Sequence, residues 1–385
     1  MIQWKTGIIE KLSGGITQLA KARNVTILNG KGIFHEPNIL RLETNKGQQF
    51  IEFEKAIIAV GSTPMIPSAF DLGNKRIMTS TEALMVEEIP ENLLVVGGGY
   101  IGMELGFVYA SLGAQVDLIE SSERILIGAD LDLTKPVVNQ AKKQFKNIYC
   151  NTKVTKMSTK GKKIEVQIQS EKKEKKEYDK VLLATGRVPN SKDIGLKDIN
   201  LNQDEKGFII VDENLKTNVD HIYAIGDVIG GWMLAHKASK EARVAVDNCC
   251  GEKSTAKDAI IPAVVFTNPE VAWCGVTENE AKEKKLNIKV LKYPWAASGR
   301  ALTLGRTDGL TKLIVEKETD RILGVGIVGI NAGELIAEGV LATEAGLTAE
   351  DIAQTIHAHP TLSETIMESA ETLFGTSTHI ITKKS

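Results

Sequence analysis

Apolar residues recur along this chain with two periods, and the places where one gives way to the other mark its elements. "TGIIEKLSGGITQLAKARN" carries them at helical spacing, whereas "NVTILNGKGIFHEPNILRLET" alternates as strands joined by turns do. "QFIEFEKAIIAVGSTPMIP" ends a strand in a Gly–Ser turn. From "NLLVVGGG" to "LLATGRVPN" the pattern is strand, helix, strand and then hairpin; "GFIIVDENLKTNVDHIYAIGD" is again strand and turn, and "LAHKASKEARVAVDNCCG" is helical. After Asp258, the alternating segments "PAVVFTNPEVAWCGVT" and "TKLIVEKETDRILGVGIVG" give way to helices ending in "SETIMESAETLFG". No period repeats, and the alternation of strands with helices predicts an α/β fold. The opening helix has an apolar face with no partner upstream of it in the sequence.

Composition narrows the class. A chain of 385 residues exceeds what one hydrophobic core usually organises, so two or three domains are expected. A net charge of −2 gives no reason to expect nucleic acid as a partner. Lysines cluster in "STKGKKIEVQIQSEKKEKKEYDK", but glutamates interleave with them, and the stretch reads as two solvated strands and a polar turn. No stretch reaches the roughly 18 apolar residues of a membrane helix, and "MIQWKTGIIEKLSGG" has no signal-peptide pattern, so a cytoplasmic protein is expected. Cys150, Cys249, Cys250 and Cys274 form no short-spaced pair, and reduced, packing thiols are the favoured reading.

"LLVVGGGYIGMELGFVYASLGAQVDLIES" is the most informative stretch. Gly97, Gly99 and Gly102 fill G-x-G-x-x-G between a buried strand and a helix. The first permits the tight turn, the second lets a pyrophosphate reach the backbone, and the third brings helix against strand. Phosphate would then sit at a helix N-terminus. A second strand ends in Glu120, 18 residues beyond Gly102, where a carboxylate can accept from both ribose hydroxyls and repels a 2′-phosphate. NAD is therefore expected rather than NADP. "LGVGIVG" also fits the pattern, at Gly324, Gly326 and Gly329, but it alternates like a strand and no acid-terminated strand follows it. It is read as a sheet segment.

"GGGYIGMELG", "LLATGRVPN", "IYAIGDVIGGWMLAHKA" and "HAHPTLSE", in this order, resemble the dihydrolipoyl dehydrogenases, a family of flavoprotein disulfide reductases. The resemblance runs from the first residues to the last. It implies a partial Rossmann-like FAD domain over residues 1–65, an NAD domain over 66–190, a return to the FAD domain over 191–258 and an α+β dimerisation domain over 259–385. NAD would lie on Gly97, Gly98, Gly99, Tyr100, Ile101, Gly102, Met103 and Glu104, with Glu120 on the ribose and Val154 and Gly186 lining the same site. FAD contacts would include Gly32, Val60, Gly61 and Ser62. Asp227, Met233, Leu234, Ala235 and His236 would complete them. Without the family, Asp227 is an ordinary turn residue and His236 a satisfied core histidine.

The resemblance also makes His359 the base that takes a proton from a dithiol, with Glu364 orienting its imidazole. Read from the residues alone, Thr361 to Glu364 ("TLSE") is favoured as a capping box, in which Glu364 bonds backbone N–H groups at a helix start. His357 and His359 have no further ligands nearby in sequence, so no metal is expected. The implied reaction is oxidation of protein-bound dihydrolipoamide by NAD through FAD and a redox disulfide. A homodimer is implied, as is the lipoyl domain of a 2-oxoacid dehydrogenase or glycine cleavage complex as partner.

Family members open with a further glycine fingerprint for FAD and a C-x-x-x-x-C redox pair. Here no such fingerprint precedes residue 90 and no cysteine precedes Cys150. The family's histidine serves a disulfide across a dimer, so a second identical copy would supply none. Weak or absent FAD binding and no turnover by this polypeptide alone are expected. The alternative is a non-catalytic, NAD-binding and dimerising remnant.

Overall fold

The structure is a computed structural model that describes residues 1–170 and 172–381. Glu171, inside the lysine-rich stretch, and residues 382–385 lie outside the described residues. The chain divides into two compact units.

One unit comprises Met1–Pro64, Met85–Glu87 and Gly186–Asp258. Its first helix, Ile2–Ala22, buries none of its residues; Trp4, Leu12 and Ile16 are exposed. Val25, Ile27 and Leu28, expected to begin a strand, form none and are exposed as well. A strand is held by its ladder partner, and among the described residues nothing pairs with them. Strands Lys31–Glu36, Ile39–Thr44 and Gly47–Glu52 make an antiparallel sheet. Ala56–Ile58 pairs in parallel with Ile222–Ala224, and Ser62–Pro64 pairs antiparallel with Arg187–Pro189. "GFIIVDEN", expected as a strand, makes only an isolated bridge between Ile209 and Gln203. The side chains of Asp204 and Asp212 accept the N–H groups of Lys206, Phe208, Asn214 and Lys216, and so turn the backbone instead of leaving it to a ladder. Helix Ala235–Cys249 buries Val244 and Ala245 against Leu215, Tyr223 and Ile225.

The second unit comprises Met65–Leu84, Glu88–Thr185 and Ala259 onward. Its parallel sheet runs Ile77–Met78, Lys180–Leu183, Asn92–Val96, Gln115–Ile119 and Asn147–Tyr149. Residues 93–96 form an unbroken apolar run because both faces of the strand are covered. Leu93 and Val95 enter one core, while Leu94 and Val96 enter another. The lysine-rich stretch forms three antiparallel strands where two solvated ones were expected: Lys153–Lys160, Lys163–Gln169 and Lys173–Tyr178. Met157, Ile164, Val166 and Ile168 point inward at every second position, and the lysines and glutamates pair on the outer face. The alternation was present in "KIEVQIQ", but the surrounding charge obscured it.

The C-terminal part of this unit is a five-stranded antiparallel sheet. Its order is Ala263–Val265, Glu270–Gly275, Ile322–Gly329, Leu310–Glu316 and Ile288–Pro294. "LGVGIVG" is its central strand. Helices Ala332–Glu344, Ala349–Gln354 and Glu364–Glu371 pack on it through Ile336, Ile352 and Ile366.

A buried ammonium joins the parallel sheet's helix to this C-terminal sheet. Lys312 is 1% exposed, and its Nζ lies 2.6 Å from Asp130, 2.8 Å from Asp132 and 2.7 Å from Glu278. Asp130 is the N-cap residue of helix Leu131–Gln144, and Lys292 adds a second cation 2.7 Å from Asp132. Burial acts to raise the Asp132 carboxyl, but Lys292 and Lys312 outweigh it and hold the group below its usual range. These three acids could share a cation, and the lysine ammonium already fills that place. Lys312→Met leaves buried carboxylates without their partner and is expected to destabilise the protein by about 3–5 kcal/mol in urea unfolding. A loss below about 1 kcal/mol, the value of a surface pair, would show that the cluster carries no such weight.

Candidate functional site

The glycine turn after Asn92–Val96 is closed too tightly for side chains. A Cβ on Gly97 (φ +109°) would lie 2.3 Å from the Ala184 carbonyl oxygen, and one on Gly102 would lie 2.0 Å from the Gly97 carbonyl oxygen. Gly99 differs: nothing lies within 4 Å of where its Cβ would be. It is the N-cap residue of helix Tyr100–Ser111 and has no side chain with which to cap it. Open space therefore adjoins the backbone at a helix N-terminus, as an anion requires.

Glu120 stands at the end of Gln115–Ile119 and reaches back to this turn. Its Oε2 accepts the Gly98 N–H at 2.6 Å, and its Oε1 accepts the Ser122 N–H at 2.7 Å and the Ser121 hydroxyl at 3.2 Å. Burial would raise its pKa, but the N–H donors of Ser122 and Gly98 outweigh burial and hold it low. The carboxylate is thus charged and oriented before any ligand arrives. Leu126 N–H donates to the Gly98 carbonyl at 2.9 Å, and Arg124 spends its guanidinium on the carbonyls of Leu126, Ile127 and Ala129. The segment after Glu120 is thereby folded around the turn.

Three of the sequence-predicted nucleotide residues face elsewhere. Met103 is fully buried in the core with Phe107, one helical turn on, so its side chain is not available to a ligand. Glu104 accepts the Phe266 N–H at 2.9 Å, and burial pushes its carboxyl up. Val154 packs partly buried against the core beneath the antiparallel strands. Helical and strand periodicity turns these positions inward, whereas the motif reads the turn as one continuous run. Gly186 adopts φ +129° in the other unit.

In that other unit, residues distant in sequence converge. Ser62 Oγ donates to Asp227 Oδ2 at 2.5 Å and accepts from Arg187 Nε at 2.6 Å. Asn190 donates its side-chain amide to the Val60 carbonyl and its N–H to the Gly61 carbonyl. Arg187 and Asn190 were missed as site residues, although both stand in the quoted "LLATGRVPN". Gly226, beside Asp227, donates its N–H to buried Glu241, which Lys237 neutralises at 2.6 Å. Met233 precedes the N-cap residue Leu234 of helix Ala235–Cys249, so Met233, Leu234, Ala235 and His236 form a helix N-terminus. Gly32 lies in strand Lys31–Glu36, where a Cβ would touch Leu40 at 3.0 Å.

His359 and Glu364 form the third constellation. His359 Nδ1 lies 2.8 Å from Glu364 Oε1, and Glu364 Oε2 accepts the Thr361 N–H at 2.7 Å. The two readings of Glu364 are therefore compatible: one oxygen holds backbone at the helix start and the other holds the imidazole. Burial acts to raise the Glu364 carboxyl, but the Thr361 N–H and His359 prevail and keep it low. A charged acceptor at Nδ1 requires the proton there, which leaves Nε2 with its lone pair directed outward. The His359 side chain is 72% exposed.

With this geometry in hand, the chain matches the family described as pyridine nucleotide-disulphide oxidoreductase over residues 3–242, and that family's dimerisation domain over residues 261–370. It is 45% identical over 383 residues to a dihydrolipoyl dehydrogenase of Vibrio parahaemolyticus, covering 99% of this chain and 80% of that one. A dihydrolipoyl dehydrogenase of Geobacillus stearothermophilus is 42% identical over 382 residues, covering 99% and 81%. Among solved structures, the Cu(II) complex of the HOCl-induced flavoprotein disulfide reductase RclA from Escherichia coli aligns with a TM-score of 0.89. Its identity is 28%, over 96% of this chain and 84% of that one. LpdA from Mycobacterium tuberculosis aligns with a TM-score of 0.88 at 26% identity, over 95% and 81%.

The low pKa of folded Glu120 sets a testable pH dependence. Its stabilisation is present above the unfolded value of about 4.3 and is lost as pH falls through the lower folded value. The difference in urea midpoint between wild type and Glu120→Gln is expected to be largest near pH 7 and to shrink below about pH 4.3. A difference that stays constant with pH would show that the carboxylate charge contributes nothing at the turn.

Proposed function

The chain belongs to the pyridine nucleotide-disulphide oxidoreductases, as a dihydrolipoyl dehydrogenase using FAD and NAD, and from that premise we propose how its residues divide the work. The turn Gly97–Gly102 and the adjoining helix N-terminus hold the NAD pyrophosphate, with Glu120 on the ribose. Val60, Gly61, Ser62 and Asp227 hold part of FAD, together with Arg187 and Asn190. His359 accepts a proton from a dithiol, with Glu364 as its orienting partner. Gly186 and the helix start Met233–His236 also belong to these cofactor sites.

The substrate is dihydrolipoamide on the lipoyl domain of a 2-oxoacid dehydrogenase or glycine cleavage complex, in the cytoplasm, and the working form is a homodimer. Residues 1–65 serve FAD together with the segment 186–258, which includes Arg187 and Asn190 and falls in the same compact unit, while 66–185 serve NAD and 259–385 serve dimerisation. When bound, the cofactors supply hydride transfer between flavin and nicotinamide. The protein contributes orientation of both cofactors and a place for the substrate proton.

One observation carries the catalytic reading: the His359–Glu364 pair, with Nδ1 committed to a carboxylate and Nε2 open. That arrangement orients the ring through Nδ1 and leaves Nε2 available to take a proton.

The relay between base and flavin is the point of divergence. The four cysteines follow residue 149, and burial pushes up the thiols of Cys150, Cys249 and Cys274, the last to about 11. Such groups remain thiols at neutral pH, whereas disulfide exchange needs thiolate. The alternative function, a non-catalytic NAD-binding and dimerising module, is favoured by this observation.

Two outcomes are expected of the purified 385-residue polypeptide. It binds NADH in a fluorescence titration and discriminates against NADPH, and Gly102→Val weakens NADH binding by about tenfold or more, because its side chain occupies the Gly97 carbonyl position. On the non-catalytic alternative it carries little or no visible flavin absorbance. Stoichiometric flavin would overturn that alternative, and NADH affinity unaffected by Gly102→Val would overturn the assignment of the turn to NAD. In any preparation that turns over, His359→Gln is expected to cost about 10²–10⁴-fold in kcat.

A further inference from the structure

His359 stands in a segment with few ties to the fold. Ile356 is 97% exposed, the His359 side chain is 72% exposed, and Ala358 and Pro360 are exposed too. One side chain of the segment is buried. His357 is 6% exposed in its side chain and turns toward helix Ala332–Glu344. Its Nε2 lies 2.7 Å from Glu338 Oε1 and its Nδ1 lies 2.8 Å from the Thr355 carbonyl oxygen. Both atoms opposite the ring are acceptors. A neutral imidazole has one N–H and can satisfy only one of them, so the arrangement calls for N–H on both nitrogens.

We infer that His357 is a positioning residue for His359: pinned as a double N–H donor between Glu338 and the Thr355 carbonyl, it fixes the loop from which the neighbouring imidazole reaches out. The two histidines thereby have opposite tasks in one tripeptide. His359 has one nitrogen on a carboxylate and one open, which suits a base. His357 has both nitrogens consumed, which makes it an anchor and removes it from proton exchange with a substrate. The charged groups facing His357 agree with this. Glu338 on one helix raises its pKa most, against the effect of burial, and Glu364 on the other helix adds to it. Glu371, on that same second helix, also senses the His357 charge. A loop so held would keep the His359 ring within reach of Glu364, a single hydrogen bond that an otherwise exposed segment could not maintain.

This inference rests on the proposed role of His359 as the base, but its test does not need turnover. The measurement is imidazole nitrogen-15 NMR of the full chain near pH 7, with the six histidines assigned by substitution. In the wild type, His357 is expected to show two protonated nitrogens, and His359 a single Nδ1–H tautomer. In Glu338→Gln, which keeps an acceptor but removes its charge, His357 is expected to lose one proton. In His357→Gln, the two His359 nitrogen shifts are expected to converge, as the ring leaves Glu364 and samples both tautomers.

A purely structural role would lower the melting temperature and leave the His359 pattern unchanged, and that result overturns the inference. So does a neutral His357 in the wild type. A failure of the base assignment would show differently: in a preparation that turns over, His359→Gln would leave kcat unchanged, while the wild-type NMR pattern remained as described.

Discussion

Two adjacent residues on one strand, Thr311 and Lys312, set the geometry on which both halves of the larger unit depend. Their side chains point to opposite faces of the C-terminal sheet, as neighbours on a strand must. Lys312 gathers Asp130, Asp132 and Glu278 on one side, and so fixes the start of the helix that follows the Glu120 segment. Thr311 Oγ1 meets Thr365 Oγ1 at 2.8 Å on the other side, beside Glu364, and the Trp295 indole donates to the same hydroxyl. The segment around the glycine turn and the His359–Glu364 pair are thus referenced to a single strand. A buried ammonium is costly unless its partners are well placed, so the cluster specifies one arrangement as much as it stabilises it.

How much of this was legible in the sequence depended on whether the signal was local. The glycine turn could be read because each glycine answers a steric demand within a few residues, and because a strand and an acid flank it. The decoy at Gly324, Gly326 and Gly329 could be set aside on the same grounds, and it forms a central strand. The side chains of Met103 and Glu104 turn away from the glycine turn, which the motif does not reveal because it is read as a line whereas a helix turns each successive side chain by about 100°. Val25 to Leu28 read as a strand because alternation reports amphipathicity, while pairing needs a neighbour that composition does not reveal.

The non-local features were less visible. Nothing near Ser62 announces that Arg187, more than a hundred positions away, will hold it against Asp227. The Lys312 cluster draws on three separate stretches, none of which looks unusual alone. Glu364 was seen as either a helix cap or a catalytic partner because sequence offers one role per residue. Two carboxylate oxygens permit both, and the backbone bond to Thr361 is part of what holds the oxygen that meets His359.

We propose that the Gly97–Gly102 turn accepts the nicotinamide cofactor and that His359 is the base, and that none of the four cysteines carries electrons between them. The most direct measurement is absorbance at the reduced-nicotinamide band when the isolated polypeptide is mixed anaerobically with dihydrolipoamide, NAD and added FAD. No NADH should form above the uncatalysed background. Catalytic NADH production that vanishes when His359 is replaced would contradict the claim and require one of the four cysteines to act as the relay.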